Sequence, residues 1–223
     1  MDTKVKGIIL KLIDYKEADK LASIFTLEQG IVTAKFKGVR KEKSKLKSAC
    51  MPFTFAEFNI NQTGNSRVVT NLNVLDGFYG ILQNYNKTIV GYIILDILKT
   101  ILPVEKPEQD LFVLTLNALK QIETEDEFMS LAKFIIKFVD FSGMTLNFDI
   151  PKYAYFDKAT GDFVKTLSFS TMQLDSKVYT YLKAINDGEK PTASSTTQKQ
   201  ALRLLNTVLL IKFNAVIKSF EFV

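Results

Sequence analysis

Gly30-Ile31-Val32-Thr33-Ala34-Lys35-Phe36-Lys37-Gly38 is a β-branched run opened and closed by glycine, and it flows directly into Val39-Arg40-Lys41-Glu42-Lys43-Ser44-Lys45-Leu46-Lys47-Ser48. The first half reads as a strand with side chains alternating between two faces; the second is a polar connection too long for a hairpin. Working outward, the same period-two pattern returns on both sides. Val5 to Ile13 sets Ile8, Leu10 and Leu12 on one face and Ile9 and Ile13 on the other, and Leu21 to Leu27 follows the polar turn 14–19. Downstream lie Phe53 to Ile60, with Phe53 and Phe55 facing opposite to Phe58 and Ile60, and then Arg67 to Leu75. Thr63-Gly64-Asn65-Ser66 between them reads as a hairpin turn, with Gly64 or Asn65 supplying positive φ. Five short strands with one long connection, in roughly eighty residues, fit a small closed barrel of the OB type; an SH3-like barrel shares the pattern.

The charge is concentrated where the strand gives way to the connection. Between Ala34 and Ser48 stand Lys35, Lys37, Arg40, Lys41, Lys43, Lys45 and Lys47 against Glu42 alone, a net +6, whereas the whole chain carries +5. Everything outside this window therefore sums to −1. A concentrated cationic segment attracts a polyanion by Coulomb forces and by counterion release, so these seven residues are the candidate nucleic-acid site. A solvated lysine-rich loop is the bland alternative. Such a site neutralises phosphates without reading base edges, so binding is expected to be largely independent of sequence. Phe36 either stacks a base or packs in the barrel, and the alternation of its strand favours the core.

From Gly80 the period becomes helical. Ile89, Ile93, Ile97 and Leu98 belong to a largely buried helix stopped by Pro103; Pro107 precedes a second, with Leu111, Leu114 and Ile122 on its apolar face. A third runs from Glu127 to Phe141 with Gly143 as its stop, and two more cover Leu174 to Ile185 and Thr197 to Phe213. Between the third and fourth, Tyr153-Ala154-Tyr155-Phe156 and Phe163-Val164 flank a turn with Gly161, a hairpin appended to the helices. The expected class is α+β: an OB-type barrel over 1–79, then a helical domain over 80–223 with an insertion around 145–169.

The residue inventory excludes much chemistry. The chain has no histidine, so neither a Ser-His-Asp nor a Cys-His catalytic site is available, nor an H-E-x-x-H metal site. Cys50 is alone, which removes disulfides and cysteine-rich zinc or iron–sulfur sites. No phosphate-binding G-x-x-x-x-G-K-[ST] or G-x-G-x-x-G occurs among the ten glycines. Asp14, Glu17 and Asp19 read as turn formers. The expectation is a protein that is not an enzyme and needs no cofactor or metal. Ile8 to Ile13 is short and interrupted by Lys11, unlike a signal peptide, and Ile89 to Leu102 is too short and too charged to span a bilayer, so a cytoplasmic location is expected.

In order along the chain come Lys4-x-x-Gly7-Ile8-Ile9-Leu10, Tyr15-x-Glu17-x-Asp19, Phe25-Thr26-x-x-x-Gly30 and Lys37-Gly38 with its basic run containing Ser44 and Leu46. Pro52-Phe53 and Ile217-Lys218-Ser219-Phe220 follow. This succession resembles bacterial RecO, the family of recombination mediators. The resemblance implies an N-terminal OB domain, a helical C-terminal domain and work in DNA repair. It implies binding of single- and double-stranded DNA, strand annealing, contacts with RecR and with the C-terminal tail of SSB, and indirectly the loading of RecA; the protein would associate with the nucleoid when bound to DNA. An acidic tail with a hydrophobic end needs a cation beside an apolar groove, and Lys199 and Arg203 next to Leu202 and Leu205 are the candidates. Many family members carry a four-cysteine zinc site where this chain has residues 145–169. Burial of Tyr153, Tyr155, Phe156, Phe163 and Phe169 is the expected substitute. An OB-fold RNA- or tRNA-binding module, and a membrane-surface protein using the polybasic loop, are the competing readings. Absence of an adjoining amphipathic anchor counts against the last.

Overall fold

The computed structural model describes residues 2–150 and 155–223, so Tyr153 lies outside the described residues. The first five strands are β1 (Asp2–Tyr15), β2 (Asp19–Thr26), β3 (Gly30–Phe36), β4 (Phe55–Thr63) and β5 (Ser66–Asp76). They close into a barrel in the order β1-β2-β3-β5-β4, antiparallel except where β3 meets β5 side by side at Lys35 with Val68 and Phe36 with Val69. This is the OB architecture.

Alternation does most of the work of building it. Ile24, Val32, Ala34, Phe36, Phe58, Ile60 and Val69 point into the barrel, where Phe36 meets Phe58 edge-on at 6.4 Å between ring centroids. Phe55 faces out of the barrel, and it and Phe25 pack against Phe112 at 6.0 and 5.3 Å. Gly64, at φ +57°, makes the two-residue turn between Thr63 and Ser66. Gly30, at φ +68°, has a second reason to be glycine: a Cβ there would lie 2.2 Å from the Lys106 carbonyl oxygen. The chain at 104–106 runs against the start of β3, with the Glu105 N–H donating to the Ile31 carbonyl at 3.1 Å.

Two sequence expectations about the barrel change. Ile8, Ile9 and Leu10 are all buried, because the β1–β2 register shifts between Ile9 and Lys11 and both faces of β1 are covered there. Phe53 is not in a strand: it precedes β4 with φ +70°, donates its N–H to the Ile9 carbonyl at 3.0 Å, and is fully buried.

The helices are α1 (Tyr79–Leu82), α2 (Tyr85–Ile101), α3 (Gln109–Thr124), α4 (Glu127–Phe141), α5 (Ser176–Asn186) and α6 (Ser195–Phe213), with a 3₁₀ turn at Lys218–Phe222. By packing, the chain forms two compact units: Met1–Gln83 with Leu95–Leu116, and Asn84–Ile94 with Asn117–Val223. In the second, α4, α5 and α6 bury a shared face. Asp126 caps α4 by accepting the Met129 N–H at 2.8 Å and also accepts from Gln198 of α6 at 2.8 Å.

The hairpin of the second unit is part of a three-stranded sheet: β6 (Tyr155–Asp157) lies between β7 (Asp162–Val164) and β8 (Thr171–Gln173). Its core is aromatic. Phe163 is ringed by Phe148 at 5.1 Å, Tyr179 at 5.3 Å and Phe156 at 6.1 Å. The Tyr179 hydroxyl donates toward the carbonyls of Phe148 and Ile150 at 3.0 and 3.1 Å. Phe156 and Phe163 are buried as expected and Tyr155 is half-buried, but Phe169 is not buried at all. It sits on a turn that points away from the sheet core.

Candidate nucleic-acid interface

The basic connection between β3 and β4 is folded rather than loose. Successive turns close it, with N–H groups of Lys41, Ser44 and Cys50 donating to the carbonyls of Gly38, Lys41 and Leu46. Val39 and Cys50 are buried in the barrel core, and Leu46 packs against it. These apolar residues recur every four to seven positions and pull the connection onto the barrel; the charged residues between them face solvent. At its start the Gly38 N–H donates to the Asp19 carboxylate at 2.8 Å and the Arg40 N–H to the Ala18 carbonyl at 2.9 Å. Burial pushes the Cys50 thiol up to about 11, so it remains protonated and unreactive at neutral pH.

The seven candidate cations divide into two groups. Lys37, Lys41, Lys43, Lys45 and Lys47 are exposed, and none makes an ion pair among the described residues. Arg40 and Lys35 are held: the Arg40 guanidinium lies 3.4 Å from the Asp14 carboxylate and also donates to the Lys16 carbonyl at 3.4 Å. The Lys35 ammonium lies over the Tyr15 ring, 4.9 Å from its centroid, with Lys16 over the same ring at 5.6 Å. Phe36 between Lys35 and Lys37 is fully buried, so it belongs to the core and is not available to a base.

Lys35 also opens onto a groove of about 550 Å³ on the barrel wall, lined by Tyr15, Thr33, Lys35, Asn65, Ser66 and Arg67. Arg67 is fixed by a 2.6 Å ion pair with Glu105, and its Nε–H is buried without a partner among the described residues. The groove thus combines an aromatic ring, two cations and hydroxyl and amide donors between the β1–β2 and β4–β5 turns. Those are the loops that flank the binding face of an OB fold. Tyr15 and Arg67 escape a local reading of the sequence because they lie 52 positions apart; only the loop rule for this fold would have paired them.

Lys199 and Arg203 have different neighbours. The Lys199 ammonium lies over the Phe128 ring at 5.8 Å. Arg203 borders a separate groove of about 330 Å³ whose apolar walls come from Phe156, Met172, Leu174, Val178 and Leu204. Leu202 and Leu205 are fully buried in the helical core and form no part of it. The leucine that lines this groove with Arg203 is Leu204, not the two leucines named from sequence.

No described helix is long and apolar enough to cross a membrane, and among the described residues no three His, Cys, Asp or Glu side chains are grouped to hold a metal. Comparison with known proteins adds the following. Residues 1–78 match the family model described as recombination protein O, N terminal. The DNA repair protein RecO of Caldicellulosiruptor saccharolyticus is 28% identical over 141 residues, 63% of this chain and 58% of that protein. That of Desulforamulus reducens is 28% identical over 141 residues, 63% of this chain and 55% of that protein. That of Clostridium novyi is 31% identical over 109 residues, 49% of this chain and 43% of that protein. The chain thus spans only about half of the length of these curated relatives. Its barrel, with the basic connection, is the part matched at residues 1–78, and there the chain is similar to the N-terminal domain of RecO proteins.

Proposed function

We propose that the protein is a DNA repair and recombination mediator of the RecO kind. It binds single- and double-stranded DNA without sequence specificity, promotes annealing, and with RecR and SSB helps to load RecA. The observation that carries this is the pinned cationic connection: five exposed lysines without ion pairs, standing on a loop whose apolar residues are locked into an OB barrel. Fixed cations meet phosphates with little ordering cost, and the same surface screens the repulsion between two strands as they pair. In this reading residues 1–79 form the DNA-binding domain and residues 80–223 a domain for protein contacts. Its action is binding and bridging rather than catalysis, carried out in the cytoplasm on the nucleoid. The SSB tail is assigned to the groove at Arg203, where a guanidinium stands beside apolar walls; Lys199 is a secondary cation for the same acidic tail.

The test replaces Arg40, Lys41, Lys43 and Lys45 together by Glu. Binding and annealing should weaken by about a hundredfold or more at moderate salt while thermal stability stays nearly unchanged, since the loop's buried anchors are retained. For the unaltered protein, four phosphate contacts give a slope of about −3 in log K against log salt on single strands. Undiminished binding by the quadruple variant removes the loop from the mechanism. Preference for structured RNA over DNA in a direct competition favours the RNA-binding module instead. For the second groove, an SSB tail peptide should bind the unaltered protein and lose affinity for Arg203→Glu; equal affinities move that site elsewhere.

A further inference from the structure

Residues 165–171 hold a feature that neither the fold nor the proposed loop site uses. Phe169 is 113% exposed and Leu167 is 70% exposed, the first being the most exposed large apolar side chain among the described residues. The segment is nevertheless ordered by its own hydrogen bonds. The Thr171 hydroxyl donates to the Ser168 carbonyl at 2.9 Å and accepts the Ser168 N–H at 2.7 Å, and the Thr171 N–H reaches the same carbonyl at 3.3 Å. Ser168 and Ser170 hydroxyls meet at 3.0 Å. The Lys158 N–H donates to the Ser170 carbonyl at 2.9 Å, which fastens the turn to the end of β6. Phe169 thus stands on the crest of a four-residue turn built on the aromatic core of the small sheet.

An ordered turn that holds a phenyl ring in water presents a preformed stacking surface, because the ring needs no rearrangement to be covered. What surrounds it selects the partner. Lys158 and Lys165 are exposed and the turn itself is rich in hydroxyls, whereas a protein groove would call for a broader apolar rim. The Asp157 carboxylate accepts from the Ala159 N–H at 2.9 Å and the Thr160 hydroxyl at 3.3 Å; the Ala159 N–H first, then the Ser170 and Thr160 hydroxyls, hold its pKa below the usual range.

We propose that Phe169 stacks on an unpaired base of single-stranded DNA, with Lys158 and Lys165 meeting the flanking phosphates. The proposal rests on the DNA-binding reading and adds a contact on the helical unit to the one on the barrel. It predicts that single strands are favoured at this point, since bases in a duplex are already stacked.

The chain contains no tryptophan, so Phe169→Trp introduces a single indole as a reporter. Oligo-dT should quench its emission saturably, whereas inorganic polyphosphate, which offers charge without bases, should leave it unchanged. Phe169→Ala should lose roughly tenfold in affinity for oligo-dT, keep its affinity for duplex and its melting temperature, and be rescued by Phe169→Tyr. If labelled oligo-dT binds but the indole emission does not move, or if Phe169→Ala binds oligo-dT as the unaltered protein does, the stacking contact is overturned and DNA binding stands. Failure of oligo-dT to bind the unaltered protein at all overturns both.

Discussion

Residues 37–54 and the described residues between 145 and 173 build no long helix or strand, and they are held in place in different ways. The first is stitched to its barrel by separate residues, Val39, Leu46, Cys50 and Phe53, each filling its own place. The second is gathered around one cluster, where Phe148, Phe156 and Tyr179 all touch the Phe163 ring. Distributed anchors leave the lysines between them free to face solvent, which suits a segment whose exterior is cationic. A single cluster frees only the turns at the sheet's end, and there the chain displays one ring. The anchoring pattern decides how much surface a connection can devote to a partner.

Truncating the cluster should give the largest effect. Phe163→Ala removes a fully buried ring with three aromatic neighbours and should cost about 3 to 5 kcal/mol in urea denaturation. Leu46→Ala, at a half-buried anchor with others beside it, should cost about 1 kcal/mol. Since Phe163 is absent from the barrel, Phe163→Ala should leave DNA binding through the basic loop intact wherever the variant remains folded. A larger loss from Leu46→Ala than from Phe163→Ala would break the contrast between clustered and distributed anchoring.

Much of this contrast was legible in the sequence, and the gaps have physical causes. Period-two alternation favoured the core for Phe36 and set Phe58 and Ile60 on one face of their strand, because a strand's geometry leaves two choices per residue; which of the two is buried came from the structure. Gly64 and Gly161 marked turns, and both have positive φ. Phe53 could not be read correctly, since nothing local signals that a phenylalanine adopts φ +70° ahead of its strand. The third strand of the small sheet, Thr171–Gln173, is too short to carry a pattern. Phe169 looked like core because aromatics usually are; its exposure is set by the Ser168–Thr171 hydrogen bonds, which composition does not reveal. At the candidate site the lysines were visible as a charge run, while Tyr15 and Arg67 join them only through barrel closure.

A smaller effect separates the two units by pH. Burial raises the Cys50 thiol from 9.0 to about 11 and the Tyr181 hydroxyl from 10.0 to about 12. In each case the folded chain holds the proton to higher pH than the unfolded chain, so the stability this confers is complete below the unfolded value and is lost as pH rises through the folded one. The barrel's loss should therefore begin near pH 9 and the helical unit's near pH 10. Cys50→Ala should flatten the decline of melting temperature between pH 9 and 11, and Tyr181→Phe the decline between pH 10 and 12. A Cys50→Ala profile superimposable on that of the unaltered protein would show that the thiol is not held in the barrel core.

The smallest expected effect is that of a chelator, which should do nothing. Many proteins of the family this chain resembles carry a four-cysteine zinc site where it has residues 145–169, but this chain has one cysteine and no histidine. Structural zinc sites rely overwhelmingly on thiolate and imidazole, and Cys50 is committed to the barrel. The carboxylates near the small sheet are already turn formers: Asp162 accepts the N–H groups of Asn147 at 2.8 Å and Phe163 at 2.7 Å, and Asp157 accepts that of Ala159 at 2.9 Å. What zinc does by bonding four sulfurs, the phenylalanine cluster does by burying apolar area that water would otherwise cover. Treatment with a strong chelator should leave the melting temperature and DNA binding where they were, in the same assay in which Phe163→Ala lowers stability by several kcal/mol. One tightly held zinc per chain, with a loss on its removal as large as that of Phe163→Ala, would overturn the aromatic account of how this piece is held.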